Sequence, residues 1–177
     1  RAEDITACQL LGARHRHLPF LDCIYRQSRD GGWLYSSEQA IFGELFLEDA
    51  AIIYSLKNFL AAILRPGDIL VIPLTIGNHV DHQLVRIAAE DLGRPLLYYA
   101  DLPYAIDLPE KIDVATSNFK SQLFEISPQS LVYWQNASLA YGSQLQVLFQ
   151  GDVNMRSDIE RYCQKEKGLR LWSTVKT

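Results

Sequence analysis

A strand–helix–strand segment in the middle of the chain most strongly limits the folds it can adopt. Residues 68–76 form a nearly continuous apolar run, which is typical of a strand covered on both faces in a parallel sheet. A glycine and an asparagine interrupt the run, and apolar side chains then recur at helical spacing over residues 82–92. Residues 95–99 form a second apolar strand. This order predicts a βαβ unit and therefore an α/β fold.

Shorter segments on either side of this unit predict further elements. We expect helices over residues 2–11, 37–46, 48–64, 113–126 and 154–167. We expect strands or extended segments over residues 17–21, 33–35 and 169–172. Because the chain has 177 residues, these elements predict a single domain over residues 1–177.

Composition and charge exclude several classes of partner. The formal net charge is −4, so the chain has no overall attraction to nucleic acid or to anionic lipid. The most apolar stretch, residues 50–64, is interrupted by polar side chains and is shorter than the roughly 20 apolar residues that a spanning helix needs. We therefore expect neither a nucleic-acid partner nor a membrane span.

The cysteines indicate the redox environment. Cys8, Cys23 and Cys163 are odd in number, lie far apart and match no zinc-ribbon or C-x-x-C pattern. This arrangement favours a reduced, cytoplasmic protein.

The side chains best suited to chemistry lie where the first strand of the βαβ unit ends and its helix begins. His79, Asp81 and His82 fall within four residues there. In open α/β sheets, ligands bind at this edge, and a spacing of three places both imidazoles near one side of a first helical turn. Neutral imidazole is a common zinc ligand, and a nearby carboxylate can fix its tautomer.

A structural interpretation of the same residues also stays open. A loop with two histidines and an aspartate can simply cap a helix with solvated side chains, and a catalytic zinc takes three protein ligands rather than two. The remaining histidines, His15 and His17, alternate on a predicted strand between arginines and are weaker ligand candidates. The sequence contains neither G-x-G-x-x-G nor a P-loop, which argues against a nucleotide-binding Rossmann domain.

Several short motifs, taken in order, resemble the LmbE/PIG-L-type zinc-dependent N-deacetylases over nearly the whole chain. The strongest is GNHVDH at residues 77–82, which matches the H-x-D-H motif of that family. The other matching pieces are RAED at 1–4, LG at 11–12, FLDCIYR at 20–26, DGGWLY at 30–35, AIFG at 40–43, YYADLPY at 98–104 and FKSQ at 119–122.

The resemblance implies a Rossmann-like, mostly parallel sheet with helices on both faces, and a zinc-dependent hydrolase. It implies that the enzyme removes an N-acetyl or other acyl group from an amino-sugar-type substrate or glycoconjugate. It further implies that His82 binds zinc, that His79 stabilises the oxyanion or protonates the leaving amine, and that Asp81 supports the site. The substrate-binding candidates are Arg1, Asp22 and Asp101. For the two aspartates, capping of a loop is the other interpretation.

The sequence departs from the family pattern at one signature. The A-H-P-D-D-E motif, which in the family supplies a zinc-binding histidine, a zinc-binding aspartate and the aspartate general base, does not occur in this sequence. We therefore expect residues 1–177 to be the C-terminal part of a deacetylase domain whose first βαβ unit is missing from this chain. An associated N-terminal segment of the same protein is then a candidate partner. The alternative is a non-catalytic, degenerate scaffold or binding domain without a complete metal site.

Overall fold

Helices and strands alternate along residues 1–174, the part of the chain that the structure, a computed structural model, describes. The helices are α1 (Ala2–Leu10), α2 (Glu38–Ile41), α3 (Ala50–Ile63), α4 (Val80–Glu90), α5 (Tyr104–Asp107), α6 (Pro109–Ala115), α7 (Pro128–Leu139), α8 (Gly142–Phe149) and α9 (Asp152–Glu166). The strands are β1 (Leu70–Pro73), β2 (Leu96–Tyr99), β3 (Phe119–Phe124) and β4 (Leu169–Thr174). Short 3₁₀ turns occupy Cys23–Tyr25 and Leu47–Asp49. This architecture confirms the predicted α/β class.

The four strands form one mixed sheet in the order β1-β2-β4-β3. β1 and β2 are parallel, with Pro73 opposite Tyr99, and α4 connects them and packs against β1. β2 and β4 are antiparallel, with Tyr98 opposite Trp172. The predicted βαβ unit is therefore confirmed, because its two strands pair in parallel and its helix covers the sheet.

The chain divides into two compact units. The first comprises Arg1–Pro19 and Gln122–Arg170; in it, α1 packs on α7, and α9 contacts both α7 and α8. The second comprises Phe20–Ser121 and, of the described residues, Leu171–Thr174; in it, α3 packs on α4. The buried apolar residues of β1, α4 and their connecting loop are Ile72, Pro73, Leu74, Ile76, Val80, Leu84, Ala88 and Ala89.

Local capping explains where several helices begin. The hydroxyl of Ser37 accepts a hydrogen bond from the backbone nitrogen of Ala40 at the start of α2. Ser127 does the same for Ser130 at the start of α7, and Pro128 occupies the first helical position, where its missing N–H costs nothing. Each start satisfies a backbone donor that the helix itself leaves free.

Three predicted elements are wrong in whole or in part, and the first is the helix predicted over residues 37–46, which ends at Ile41. Residues 17–21 form no strand, and Pro19 in that segment cannot donate to a strand ladder. The helix predicted over residues 113–126 ends instead at Ala115 in α6, and β3 follows from Phe119.

Within the described part of the chain, each helix is too short or too polar to cross a bilayer.

Candidate functional site

The loop between β1 and α4 carries the two predicted imidazoles to the carboxyl end of the parallel strand pair. His79 is the N-cap of α4, and its Nδ1 accepts a hydrogen bond from the backbone nitrogen of Asp81 at 3.2 Å. His82 lies in the first turn of the same helix. Asp101 follows the end of β2 by two residues. Because carboxyl ends of neighbouring parallel strands meet at one edge, these side chains converge there.

Polar contacts hold this loop in a fixed conformation. The side-chain amide nitrogen of Asn78 donates to the backbone carbonyl oxygens of Phe42 at 2.9 Å and Gly43 at 3.0 Å. The amide nitrogen of Gln83 donates to the carbonyls of Gly43 at 2.8 Å and Asn78 at 2.7 Å. Thr75 has a φ of +63°, which is strained for a β-branched residue. Such strain persists only where surrounding contacts impose it, and it is common at functional sites.

His82 is oriented by a buried carboxylate. Its Nδ1 lies 3.1 Å from Oδ2 of Asp101, which is only 2% exposed. The other oxygen of Asp101 accepts the backbone N–H of Ile76 at 3.2 Å. With the Nδ1 proton donated to the carboxylate, the lone pair on Nε2 of His82 stays free. The side chain of His82 is 32% exposed, so part of the ring is open to a ligand.

His79 has the opposite arrangement of its ring nitrogens. Because its Nδ1 accepts the Asp81 backbone N–H, the neutral ring carries its proton on Nε2. Burial lowers the pKa of His79, and the neighbouring His82 lowers it further, so the ring is neutral at neutral pH. The two ring centroids are 5.2 Å apart. The site thus presents a donor N–H from His79 beside a free lone pair from His82.

Asp81 belongs to a buried charge network that the sequence analysis missed. Its carboxylate forms an ion pair with Arg26 and accepts the backbone N–H of Cys23 at 3.1 Å. Arg26 also pairs with Asp49, which is fully buried and accepts the hydroxyl of Tyr35. The partners in this network come from distant parts of the sequence, so local patterns gave no signal for Asp49, and the only signal for Arg26 was its place in the FLDCIYR piece that matches the family.

The other two predicted substrate residues have local partners. Asp22 caps the first 3₁₀ turn by accepting the backbone N–H of Ile24 at 3.2 Å, and its Oδ1 lies 3.5 Å from Sγ of Cys23. Arg1 belongs to the other compact unit, where its guanidinium donates to the carbonyl of Leu18 at 3.3 Å. Their roles toward a substrate stay predictions.

Aromatic side chains line one side of the imidazole pair. The ring of Phe42 meets those of His79 and Tyr104 edge-on, with centroids 5.5 Å and 5.7 Å away. Tyr104 lies 6.3 Å from His82 by the same measure. Gly77 is needed beneath this ring, since a Cβ there would be 2.3 Å from Cγ of Tyr104. Burial raises the pKa of Tyr104, and the charge of Asp101 adds to this effect.

The resemblance implies a bound zinc ion, and the side chains at this edge either suit such an ion or do not. His82 fits a zinc ligand, because an imidazole whose Nδ1–H is held by a carboxylate is a standard ligand arrangement. Among the residues that the structure describes, one group of three potential ligands has its donor atoms within 4.8 Å of one another, namely Cys23, His79 and Asp81. His82 is not a member of that group. Burial and the nearby Asp22 raise the pKa of Cys23 to about 11, so its thiol is protonated at neutral pH.

Comparisons with known proteins give similarity at the level of structure. No protein-family model matches the chain, and no curated protein matches it significantly. The fold is similar to the zinc-inhibited form of teicoplanin deacetylase Orf2, with 25% identity and a TM-score of 0.78, over 99% of this chain and 73% of that one. It is also similar to a deacetylase–bog complex from teicoplanin biosynthesis, with 25% identity and a TM-score of 0.80, over 99% of this chain and 72% of that one. A deacetylase–teicoplanin complex matches with 23% identity, a TM-score of 0.76 and coverage of 99% and 72%.

These similarities define a class. The chain has a deacetylase-like α/β fold, and the deacetylases that it is similar to belong to teicoplanin biosynthesis. The imidazole pair and its carboxylate lie at the edge of the sheet where α/β proteins bind ligands.

Proposed function

We propose that this chain carries part of the active site of a zinc-dependent N-deacetylase of the LmbE/PIG-L type, which hydrolyses the N-acyl group of an amino-sugar-type substrate. The observation that carries the proposal is the pairing of His82 with the buried Asp101, beside the neutral imidazole of His79. The similarity to teicoplanin deacetylase over 99% of this chain supports it.

His82 is the residue of this chain that would hold the metal, through its free Nε2. When bound, zinc supplies polarisation of the amide carbonyl and a more acidic water molecule. Asp101 accepts the Nδ1 proton of the neutral His82 ring, which leaves the Nε2 lone pair as the one that would face the metal. Both oxygens of Asp101 are engaged, by His82 and by the backbone of Ile76, which supports an orienting role for this carboxylate.

His79 would donate its Nε2–H to the oxygen that becomes negatively charged as the amide is attacked. A preorganised donor of this kind contributes about 3 kcal/mol to stabilisation of the transition state. Its Nδ1 is occupied by the backbone N–H of Asp81, which holds the ring in this orientation. Asp81 is in turn held by Arg26, so we propose that Asp81 positions the first turn of α4.

An amino sugar suits the surroundings of this pair. The rings of Phe42 and Tyr104 offer an apolar surface against which a sugar face can pack. The exposed carboxylate of Asp22 is proposed to bind a substrate hydroxyl, as the resemblance implies. The substrate role that the resemblance implies for Arg1 stays a prediction. A glycoconjugate such as a glycopeptide is a substrate of the same class.

The remaining metal ligands and the general base need another source, since His82 is one ligand of the three that a catalytic zinc takes. We propose that an N-terminal segment with an A-H-P-D-D-E motif supplies them. Two facts support this: β1 is an edge strand whose Val71 is 44% exposed, and this chain spans 73% of the length of the neighbouring deacetylase. Intact mass spectrometry of the active sample tests it. A folded monomer of 20.1 kDa that hydrolyses substrate would contradict this part of the proposal.

The experiment for the proposed activity measures zinc by elemental analysis and acetate release from an N-acetylglucosaminyl glycopeptide. We expect stoichiometric zinc and acetate release in the unaltered protein, and loss of both in His82→Ala. His15→Ala, an exposed histidine of the other unit, is the matched control and should retain both. A folded protein without zinc and without acetate release would instead indicate the non-catalytic scaffold.

We also propose a reduced, cytoplasmic location. All three cysteines are free in the structure, and they lie too far apart in sequence to match a zinc-ribbon or C-x-x-C pattern. Thiol labelling of protein extracted under acid quench should modify all three after denaturation; a protein that labels only after reduction would contradict this location.

A further inference from the structure

Cys23, His79 and Asp81 form a compact group of donors beside the proposed catalytic edge. One ligand atom from each lies within 4.8 Å of the other two. Cys23 is 1% exposed, and the other two side chains are half-buried. The group combines sulfur, nitrogen and carboxylate oxygen, which together suit zinc and other borderline-soft divalent cations.

The backbone already holds these three donors together. The N–H of Cys23 donates to Oδ2 of Asp81, and the N–H of Asp81 donates to Nδ1 of His79. The first 3₁₀ turn and the start of α4 are thus joined through the group itself. A fourth donor is within reach, since Oδ1 of Asp22 lies 3.5 Å from Sγ of Cys23. A site with fixed ligands binds a cation with little loss of side-chain freedom.

The charges around the group favour a cation. Arg26 contacts Asp81, but the fully buried Asp49 compensates the guanidinium. The carboxylates in contact with this network or with the imidazole pair are Asp22, Asp49, Asp81 and Asp101. A single guanidinium leaves this set with excess negative charge, which attracts a divalent ion.

We propose that Cys23, His79 and Asp81, with Asp22 as a further oxygen donor, form a second metal site that is separate from the ligand nitrogen of His82. On binding, the S–H bond of Cys23 breaks, its proton passes to water, and the sulfur bonds the metal as a thiolate. At the same time the proton on Nε2 of His79 moves through water to Nδ1, the hydrogen bond that Nδ1 accepts from the backbone N–H of Asp81 is lost, and Nε2 becomes a ligand. A further consequence rests on the proposed function. The occupied site removes His79 from oxyanion stabilisation, so excess metal inhibits hydrolysis.

Cobalt(II) titration of the full chain tests the site without any measurement of activity. A thiolate ligand gives a near-ultraviolet sulfur-to-cobalt charge-transfer band. We expect this band in the unaltered chain, and its loss in both Cys23→Ser and Cys23→Ala. Cys163→Ser, at another buried cysteine, is the matched control and should retain the band. Circular dichroism verifies that each variant is folded.

Two further variants separate this site from the proposed catalytic one. His82→Ala should retain the band, whereas Asp81→Asn should raise the cobalt concentration needed for half-saturation. A band that is missing from the unaltered chain, or that survives in folded Cys23→Ala, would overturn the site. Loss of the band in His82→Ala would show that His82 belongs to the same site as Cys23. That result would overturn the proposal that the two sites are separate. Failure of the hydrolase proposal leaves the cobalt band in place, so the two failures are distinguishable.

Discussion

Nδ1 of His82 lies 3.1 Å from Oδ2 of Asp101, a carboxylate that is almost completely buried and stands 19 positions further along the chain. One residue is in the first turn of α4, and the other follows the end of β2. The pairing of β1 with β2 brings them together, because α4 begins where β1 ends. The contact decides which nitrogen of His82 faces a ligand.

Replacement of Asp101 by asparagine tests this orienting role. Asp101→Asn keeps an oxygen to accept the N–H of Ile76 but loses the negative charge that holds the His82 proton. We expect zinc affinity to fall about 10–100-fold, as for other carboxylates that support a metal-binding histidine. Competition with a chromophoric chelator measures the affinity. Asp113→Asn, on an exposed position of α6, should leave it unchanged, and equal affinities for both variants would contradict the role.

The buried pair of Arg26 and Asp49 should be important for stability. Asp49→Ala leaves the guanidinium of Arg26, which is 4% exposed, without its fully buried partner. We expect the free energy of unfolding to fall by about 3–5 kcal/mol in urea denaturation.

The exposed pair of Arg161 and Asp158 is the control for that measurement. Its arginine is 63% exposed, so Asp158→Ala should change the free energy of unfolding by less than about 1 kcal/mol. If the two variants were equally stable, the buried network would not contribute as the structure indicates.

Gly77 should not tolerate a side chain. In Gly77→Ala, the new Cβ would lie 2.3 Å from Cγ of Tyr104, so the ring or the loop must move. We expect a destabilisation of about 1–3 kcal/mol, typical of overpacking, measured by thermal unfolding. The same substitution in a Tyr104→Ala background should cost less. Gly142→Ala, where the nearest atom would be 3.9 Å away, should be nearly neutral.

Asp4 should give the first unit an acid-sensitive contribution to stability. Hydrogen bonds from Tyr141 and His17 lower the pKa of Asp4 below its usual value of 3.8. The carboxylate of Asp4 therefore binds a proton more tightly in the unfolded chain than in the folded one. Its charged form consequently stabilises the fold above pH 3.8. This contribution is lost as pH falls through the lower pKa of the folded state.

Urea denaturation at a series of pH values measures that contribution. Asp4→Asn should be less stable than the unaltered chain at neutral pH, and the difference should shrink as the pH falls below 3.8. Tyr141→Phe, which removes the hydrogen bond that lowers the pKa of Asp4 most, should reduce the pH dependence in part. A difference that stays constant through the acid range would contradict a role for this titration.

Local sequence predicted those elements whose signals lie within a few residues. The strands β1 and β2 and the helical spacing of α4 were confirmed, but the coverage of the first strand on both faces was not, since Val71 is 44% exposed. The helix predicted over residues 113–126 was wrong, because β3, which forms part of this segment, shows neither burial pattern. Five of its six positions are exposed, so pairing within the sheet, rather than burial, makes this segment a strand.

The sequence by itself determined that His79 and His82 stand at the start of a helix after a buried strand, since helix spacing and chain breaks act over short distances. Only the tertiary structure decided their chemistry. Asp101 reaches His82 through the pairing of two strands, and Arg26 and Asp49 reach Asp81 across buried contacts between distant segments. Hydrogen bonds and ion pairs of this kind depend on distance in space, which local sequence patterns do not record.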